Sequence, residues 1–277
     1  AEVTRDPVGL GKALYSEAAF HVGVGAWDPA RTAASRGLEI ATELRNPQEA
    51  EVAHTILGHV EFATGAYEAS RKSAVVLYES AHARDNLQHR TWGVYTQARA
   101  ALYLGDLDAA IRDFDAGMHM LEGQSDHASH ILCGGMLASA LARAGSTGRA
   151  RTAADATTER IGSKRTPVFT IAEGFIGAAD AYLELWRRGD ASVAPAARTA
   201  LANLARLAKL FPIASPAAAT LTGVYHLRAG SRRRAVRHLR RGLAIAERLH
   251  MPYDQAVAHA ALAEAGLDDH AAAARAL

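Results

Sequence analysis

The sequence predicts an all-α protein, built as an array of helical hairpins that stack one on the next. The first reason is a set of glycines spaced by 40, 40, 40, 44 and 41 residues: Gly25, Gly65, Gly105, Gly145, Gly189 and Gly230. The second is a small residue five positions after five of these glycines: Ala30, Ser70, Ala110, Ala150 and Ala235. The third is composition, since hydrophobic residues make up 49% of the chain but aromatics only 6%, and alanine, the best helix former, fills much of the difference. A period of this length is typical of helical repeats, in which each unit buries its apolar face against its neighbours.

Each interval predicts a helix, a short glycine turn and a second helix. In the third hairpin, the first helix is Trp92–Tyr103, the turn is Gly105–Asp106 and the second helix is Leu107–Met120. Glycine suits the left-handed conformation that ends a helix, and the following Asp can cap the next one. In the first hairpin Asp28–Pro29 does the same, with proline in the first turn where it is tolerated.

The second helix of each hairpin carries small or apolar residues at i, i+4 and i+7, which predicts one buried stripe. The clearest stripes are Ala110, Phe114 and Gly117 in the third hairpin, and Ala235, Leu239 and Gly242 in the sixth.

Polar or proline-containing connectors separate the hairpins, so we expect a single domain over residues 1–277. The predicted hairpins are residues 10–45, 48–83, 88–122, 127–161, 167–211 and 215–250, followed by a cap at 253–277. The fifth hairpin is irregular, because its first helix is long (167–188) and its turn is stretched (189–195).

Composition excludes several classes of protein. The chain has 31 Lys and Arg against 29 Asp and Glu, a formal charge of +2, so bulk electrostatics do not favour a polyanion ligand. The single cysteine, Cys133, excludes an internal disulfide framework and suits a reducing compartment, and we expect a cytoplasmic protein. No stretch is long and apolar enough to span a bilayer, and we expect no retained secretion signal. The first residue is Ala rather than Met, and we expect the chain to be a piece of something longer.

The hairpin pattern resembles the tetratricopeptide repeat, with a small residue at position 8, Gly at 15, Ala at 20 and a small or apolar residue at 24 and 27. The third hairpin fits best, through Ala98, Gly105, Ala110, Phe114 and Gly117. The spacing of about 40 differs from the 34 residues of that repeat and resembles the longer-helix variety found in bacterial signalling ATPases and transcription activators. The resemblance implies a right-handed α-α superhelix of about six hairpins plus a capping helix.

Four short motifs carry a narrower resemblance: Arg90–Tyr95, Leu102–Gly105, Leu210–Ile213 and Met251–Tyr253. They look like the C-terminal region of bacterial multidomain adenylate or guanylate cyclases, which join a cyclase domain to an ATPase module and a tetratricopeptide array. If so, the catalytic and ATPase portions are absent here, and other domains of a larger parent protein are among the expected partners.

Motifs for catalysis are incomplete. Gly9–Ala13 lacks the upstream glycine and the hydroxyl residue of a phosphate-binding loop. Asp126, His130 and Cys133, with His127 beside them, share a helical face at metal-ligand spacing, but a capping Asp, a half-buried His and a packed Cys explain them better. We therefore expect no enzyme, no cofactor and no metal.

The resemblance implies that positions 2, 5, 9, 12 and 13 of each first helix line a concave groove. The expected partner-binding residues are Tyr15, His59, Phe62, Trp92, Tyr95, Arg99, Tyr103, Arg143, Trp186, Arg187 and Arg228. Trp92, Tyr95 and Tyr103 would form an aromatic patch, and the four arginines a basic ladder. Tyr, Trp and Arg commonly anchor interfaces, so we expect a protein or peptide partner of acidic character. The alternative is that the aromatics fill gaps between units and the arginines extend over helix edges.

The expected function is thus a non-catalytic protein-interaction or sensor array of a bacterial cytoplasmic signalling protein. A small-ligand or peptide receptor domain of a transcription activator is the alternative, and a helical-hairpin enzyme the second alternative. A homo-oligomer stays open, and a membrane partner is not expected. The basic stretch Arg232–Arg241 favours a solvated face over an anionic docking patch, and nucleic acid is disfavoured because no aromatic residues interleave with the arginines.

Overall fold

A computed structural model of the chain describes residues 6–162, 168–267 and 269–276. In these ranges the chain forms fourteen α-helices, three short 3₁₀ turns and no β-strand. The predicted all-helical class, with consecutive helices packed together, is confirmed. Residues 163–167 of the predicted fourth connector, and residues 268 and 277 of the predicted cap, lie outside the described residues.

The chain divides into two compact units, Ala1–Asp126 and His127–Leu277. The helices of unit 1 are α1 (Pro7–Val24), α2 (Trp27–Glu43), α3 (Pro47–Ala63), α4 (Tyr67–Ala83), α5 (Leu87–Tyr103) and α6 (Leu107–Met120). Each helix packs against the next one in the chain, and α1 also contacts α3 while α3 contacts α5. The odd-numbered helices of this unit therefore form a layer in which successive members touch directly.

Side-chain caps define where the helices of unit 1 begin. Asn46 Oδ1 accepts a hydrogen bond from the Glu49 backbone N–H at 3.2 Å, and Asn86 Oδ1 accepts one from the His89 N–H at 3.1 Å. Each cap satisfies a donor that the first helical turn leaves without a partner. The Asn86 cap explains why α5 begins at Leu87, five residues before the predicted start at Trp92.

The glycines that the spacing singles out are the turns between paired helices. Gly25, Gly65, Gly105, Gly145, Gly189 and Gly230 all have positive φ, between 73° and 107°. Only glycine adopts this conformation without steric cost. Arg45, Asp85 and His250 have φ of 50–53° in connectors between pairs, so the connectors impose the same turn on non-glycine residues.

The small residues that follow the glycines lie in the core. Ala30, Ser70, Ala110, Ala150 and Ala235 are each 0% exposed. A larger side chain at these points would keep the paired helices apart. The predicted stripe on the second helices is also buried, since Phe114 and Leu239 are 0% exposed.

Unit 2 continues the same alternation with eight helices. They are α7 (His127–Arg143), α8 (Thr147–Gly162), α9 (Ala172–Arg187), α10 (Ala194–Leu207), α11 (Ser215–Arg228), α12 (Arg232–Arg248), α13 (Pro252–Glu264) and α14 (His270–Ala276). Successive odd-numbered helices again touch: α7 with α9, α9 with α11, and α11 with α13. The irregular fifth pair contains two 3₁₀ turns, Phe169–Ile171 before α9 and Ala191–Val193 before α10.

The crossing of α7 and α9 is the closest backbone approach in unit 2 that glycine makes possible. A Cβ added to Gly135 would collide with the carbonyl oxygen of Gly174, and one added to Gly177 would collide with the carbonyl of Gly135. Close backbone contact of this kind requires residues without side chains. The glycines thus let α7 and α9 pack along much of their length.

No helix within the described residues has both the length and the apolar character needed to cross a membrane.

Candidate functional site

The expected groove residues of unit 1 form two separate clusters. In the first, Phe62 at the end of α3 contacts the rings of Tyr67 and Tyr103, with ring centroids 5.5 Å and 4.6 Å away. Phe62 is buried and Tyr103 half-buried. Tyr103 therefore packs against Phe62 and does not form the predicted aromatic patch with Trp92 and Tyr95.

Arg99 lies in the core of this cluster. Its side chain is 0% exposed, and its guanidinium carbon lies 3.9 Å from the centroid of the Phe62 ring. The ring face attracts the cation, and the Gly58 carbonyl accepts a hydrogen bond from the guanidinium at 3.4 Å. Arg99 thus belongs to the packing between α3 and α5, and the basic ladder expected on the surface does not include it.

His59 is buried beside Arg99. It is 4% exposed, and its Nδ1 lies 2.9 Å from the Thr55 carbonyl oxygen, to which it donates. Burial, and then the charge of Arg99, lower the pKa of His59 to about 3. Tyr95 is buried as well, at 2% exposed. These three side chains fill space between helices, as the alternative interpretation of the sequence expected, and they offer a partner no accessible surface.

The second cluster of unit 1 surrounds the buried carboxylate of Glu51. Ser80 Oγ donates to it at 2.6 Å, His89 Nδ1 at 2.7 Å and Arg84 Nε at 3.1 Å. Burial alone would raise the pKa of Glu51, but the hydrogen bonds from Arg84, Ser80 and His89 outweigh it and lower that pKa. The half-buried ring of Trp92 stacks on His89 at 4.4 Å between centroids, so Trp92 covers this cluster.

Tyr15 lines a mainly apolar cleft between α1, α2 and α3. Gly11, Ile40 and Ile56 are among the residues that line this cleft. Burial, and then the charge of Glu49, raise the pKa of the Tyr15 hydroxyl. Tyr15 remains 39% exposed.

In unit 2 the expected groove residues bridge the successive odd-numbered helices. Three contacts do this: Arg143 with Asp180 joins α7 to α9, Trp186 with Tyr225 joins α9 to α11, and Arg228 with Glu264 joins α11 to α13. The Trp186 and Tyr225 rings meet edge to face with centroids 5.4 Å apart, and both side chains are partly exposed. Each contact between neighbouring helices of this layer thus includes a residue that the sequence had singled out. We call the layer of α7, α9, α11 and α13 the odd-helix face of unit 2.

Arg143 is the most connected of these residues. Its Nε and one terminal nitrogen donate to Asp180 Oδ2 at 3.2 Å and 3.1 Å, and Ser139 Oγ donates to the same oxygen at 2.6 Å. The other terminal nitrogen donates to the Tyr253 hydroxyl at 3.2 Å, a partner 110 residues away. Unit 2 therefore curves until the end of α7 reaches the start of α13.

A second carboxyl lies beside this contact, at the start of α13. Burial, and then the neighbouring Glu173, raise the pKa of Asp254 to about 7, although hydrogen bonding to the backbone opposes the shift. Burial also raises the pKa of Tyr253, against the opposing effect of Arg143. Titratable groups from α7, α9 and α13 thus meet in a partly desolvated environment.

The arginines of the expected ladder in unit 2 are already neutralised. Arg143 pairs with Asp180, Arg228 with Glu264 at 2.6 Å, and the exposed Arg187 with Glu184 through two hydrogen bonds of 2.6 Å. Each of these three arginines has an intramolecular carboxylate, although Glu184 also pairs with Arg188 at 2.9 Å, so the three offer an acidic partner no unpaired positive charge. Sequence spacing shows Glu184, which lies one helical turn before Arg187, but not Asp180 and Glu264, which lie about one repeat beyond their partners.

Within residues 6–162, 168–267 and 269–276, no three His, Cys, Asp or Glu side chains are grouped so that they could hold a metal ion. Cys133 is a buried thiol that forms no disulfide. No known protein-family model matches the chain, and no curated protein matches it either.

Proposed function

We propose that the chain is a non-catalytic binding array, and that the odd-helix face of unit 2 captures a segment of a protein partner. The observation that carries the proposal is the partly exposed Trp186–Tyr225 pair, flanked by Arg187. Aromatic and arginine side chains contribute most of the free energy in many interfaces. Here the ring pair is held in one geometry by the packing of α9 on α11, so little side-chain entropy is lost on binding.

The charges on this face refine the expected partner. Since Arg143, Arg187 and Arg228 are paired, the segment is recognised mainly by aromatic contact and by hydrogen bonds to groups such as Glu184. An acidic partner would have to displace these carboxylates. Its affinity for this face therefore depends less on salt than free arginines would make it.

The test begins with peptides selected from a displayed random library on the wild-type chain. Their affinity is then measured by fluorescence anisotropy for Trp186→Ala and for Arg31→Ala, a control in the exposed part of α2. We expect Trp186→Ala to weaken binding by about tenfold or more, which is typical of an interface hot spot. Circular dichroism shows whether the variants keep their helices. Peptides that bind Trp186→Ala and wild type equally well would place the interface elsewhere.

A second candidate function is the reception of a small polar ligand by the Arg143–Asp180–Tyr253 network. The raised pKa of Asp254 beside this network favours it, because partly desolvated titratable groups often occur at ligand sites. Screening small acids and amines by thermal shift tests this function. A ligand at this site raises the melting temperature of wild type more than that of Asp254→Asn, whereas an equal shift in both would exclude the site.

A further inference from the structure

Helix α12 concentrates positive charge. Its 17 residues contain seven arginines and a single acidic residue, Glu247, whereas the whole chain has a formal charge of only +2. All seven arginines are exposed. The local field of this helix is therefore much stronger than composition indicates.

Five of these arginines are without carboxylate partners. In the part of the chain that the structure describes, no ion pair or side-chain hydrogen bond involves Arg233, Arg234, Arg237, Arg240 and Arg241. We call these five residues the α12 arginine face. The arginines of the odd-helix face of unit 2 differ, because each of those has a carboxylate within 3.1 Å.

Packing fixes the direction in which the α12 arginine face points. Leu239 and Leu243 on the opposite side of the helix are buried in a cluster with Ala258, Ala261 and Leu262 of α13. This apolar side cannot enter a lipid bilayer without dismantling the core, so α12 is unlike a membrane-binding amphipathic helix. Arg232 fixes α12 against α13, since its Nε donates a hydrogen bond of 2.6 Å to the carbonyl of Ala265, the residue that caps the C-terminal end of α13.

The positive field also acts on two histidines. Burial, and then the charges of Arg234 and Arg237, lower the pKa of His226. Burial, and then His226 and Arg237, lower the pKa of His238, whose ring lies 5.3 Å from that of His226. No carboxylate contributes to either shift.

The α12 arginine face borders an open groove with an apolar component. Val236 and Leu267 line the groove together with Arg232, Arg233, Arg237 and Arg240. Arg233, Arg237 and Arg240 follow i, i+4 and i+7 spacing, which aligns them in a stripe about 10 Å long. Charge and a small apolar surface thus occur side by side.

We propose that the α12 arginine face and its groove are a docking surface for an acidic, amphipathic segment of a partner protein. Carboxylates of the segment pair with Arg233, Arg237 and Arg240, and an aliphatic side chain lies between Val236 and Leu267. Arginine holds carboxylates through two parallel hydrogen bonds, which gives the contact direction as well as charge. Nucleic acid fits less well, because it has no aliphatic group for the groove and none of the residues that line the groove is aromatic.

The experiment uses the full chain and a fluorescein-labelled synthetic peptide of about fifteen residues, made of glutamate with leucine at helical spacing. Anisotropy titrations compare wild type with Arg233→Glu/Arg237→Glu. The matched control is Arg31→Glu/Arg198→Glu, which makes the same charge change at two exposed sites in α2 and α10. We expect the first double variant to bind at least about tenfold more weakly, the control to stay within about twofold, and added salt to weaken wild-type binding.

Two further probes test the class of partner. A peptide with glutamine in place of leucine is expected to bind more weakly than the glutamate–leucine peptide, since it lacks the aliphatic contact. Duplex DNA of equal charge, or vesicles of phosphatidylserine, binding as tightly as the peptide would overturn the proposal. An equal loss of peptide affinity in the two double variants, or no saturable binding of the peptide to wild type, would overturn it as well.

Discussion

At the residue scale, the buried carboxylate of Glu51 joins three helices of unit 1. Its donors are Ser80 and Arg84 near the end of α4 and His89 in the first turn of α5. A buried charge is tolerated only when several hydrogen bonds replace the water that it loses. The cluster therefore holds α3, α4 and α5 in one arrangement.

We predict that Glu51→Gln lowers the free energy of unfolding by about 2–3 kcal/mol, because it leaves Arg84 and His89 without their buried anion. Urea denaturation at neutral pH measures the change. The control is Glu68→Gln, which removes an exposed pair with Arg71 and is expected to cost less than about 0.5 kcal/mol. Equal effects of the two substitutions would show that Glu51 is not a structural centre.

The pH dependence of stability follows from His59. Its pKa is about 3 in the folded chain and 6.5 when unperturbed, so below pH 6.5 the unfolded state binds the extra proton. This contribution to stability is complete above pH 6.5 and is lost as the pH falls from 6.5 towards 3. As the pH falls from 6.5 to 5, we expect the free energy of unfolding of wild type to decrease by up to about 1.4 kcal/mol more per pH unit than that of His59→Gln.

Urea titrations at several pH values measure that difference. The control variant is His119→Gln, because His119 is exposed on α6. We expect it to keep the wild-type slope. A wild-type slope in His59→Gln would mean that His59 takes up its proton in the folded state near its ordinary pKa.

At the element scale, the crossing of α7 and α9 depends on the absence of three side chains. Gly135, Gly174 and Gly177 place the two backbones in direct contact. Other glycine contacts between helices are less tight, since a Cβ on Gly93 would lie 2.9 Å from the Tyr78 Cα and one on Gly242 would lie 3.0 Å from the Thr220 N, compared with 2.0 Å from the Gly174 carbonyl oxygen for Gly135. This crossing is thus a point where small changes in volume have large effects.

We predict that Gly135→Ala destabilises the protein by about 2–3 kcal/mol, because its Cβ would overlap the Gly174 carbonyl and force the helices apart. Gly148→Ala is the matched control. A Cβ at Gly148 in α8 meets no atom within 4 Å, so this change is expected to be neutral or to stabilise by up to about 1 kcal/mol. Thermal denaturation followed by circular dichroism measures both changes in stability. A change of the same sign and size in the two variants would contradict the close approach of the α7 and α9 backbones.

At the scale of the whole molecule, described contacts run mainly between helices that are adjacent or next-but-one in the chain. The Arg143–Tyr253 hydrogen bond is a longer link inside unit 2. In an array with such contacts, stability is close to a sum of local units and their interfaces. A substitution that destabilises one helix pair should therefore leave the stability of distant helix pairs unchanged.

We predict that Glu51→Gln raises the hydrogen-exchange rate of α3, α4 and α5 but leaves α11 and α12 close to wild type. The reason is that the Glu51 contacts lie within unit 1, while α11 and α12 pack against each other and α13 in unit 2. Hydrogen exchange followed by mass spectrometry of peptides measures each helix. Uniform loss of protection along the chain would show that the two units unfold as one.

Much of the fold is predictable from local rules. The spacing of Gly105 and Ala110 identifies a turn and a buried contact, and both hold in the structure. The close crossing of α7 and α9 also had a sequence signal, in Gly134–Gly135 and in Gly174 with Gly177 three residues later. The connectors at Arg45, Asp85 and His250 were also predicted, but the positive φ of these residues had no sequence signal, because packing of the flanking helices imposes it on residues that do not prefer it.

The candidate site is only partly predictable. The spacing that placed Arg143, Trp186 and Arg228 on one face also places Arg99 there, yet Arg99 is enclosed against Phe62. Helical period tells which side of a helix a residue occupies, but not how closely the next helix covers it. That distance depends on side chains about 40 residues away.

By itself the sequence determined the helices, their turns and the small residues between them, since these follow from backbone conformation and from periodicity within about 20 residues. Tertiary structure alone decided which charged side chains form ion pairs with residues on other helices. Arg143 and Arg228 pair with carboxylates on the next odd-numbered helix, whereas the α12 arginine face has no carboxylate partner within the described residues. The physical reason is that an ion pair needs two side chains within about 4 Å, and only the packing of one helix on another brings distant residues that close.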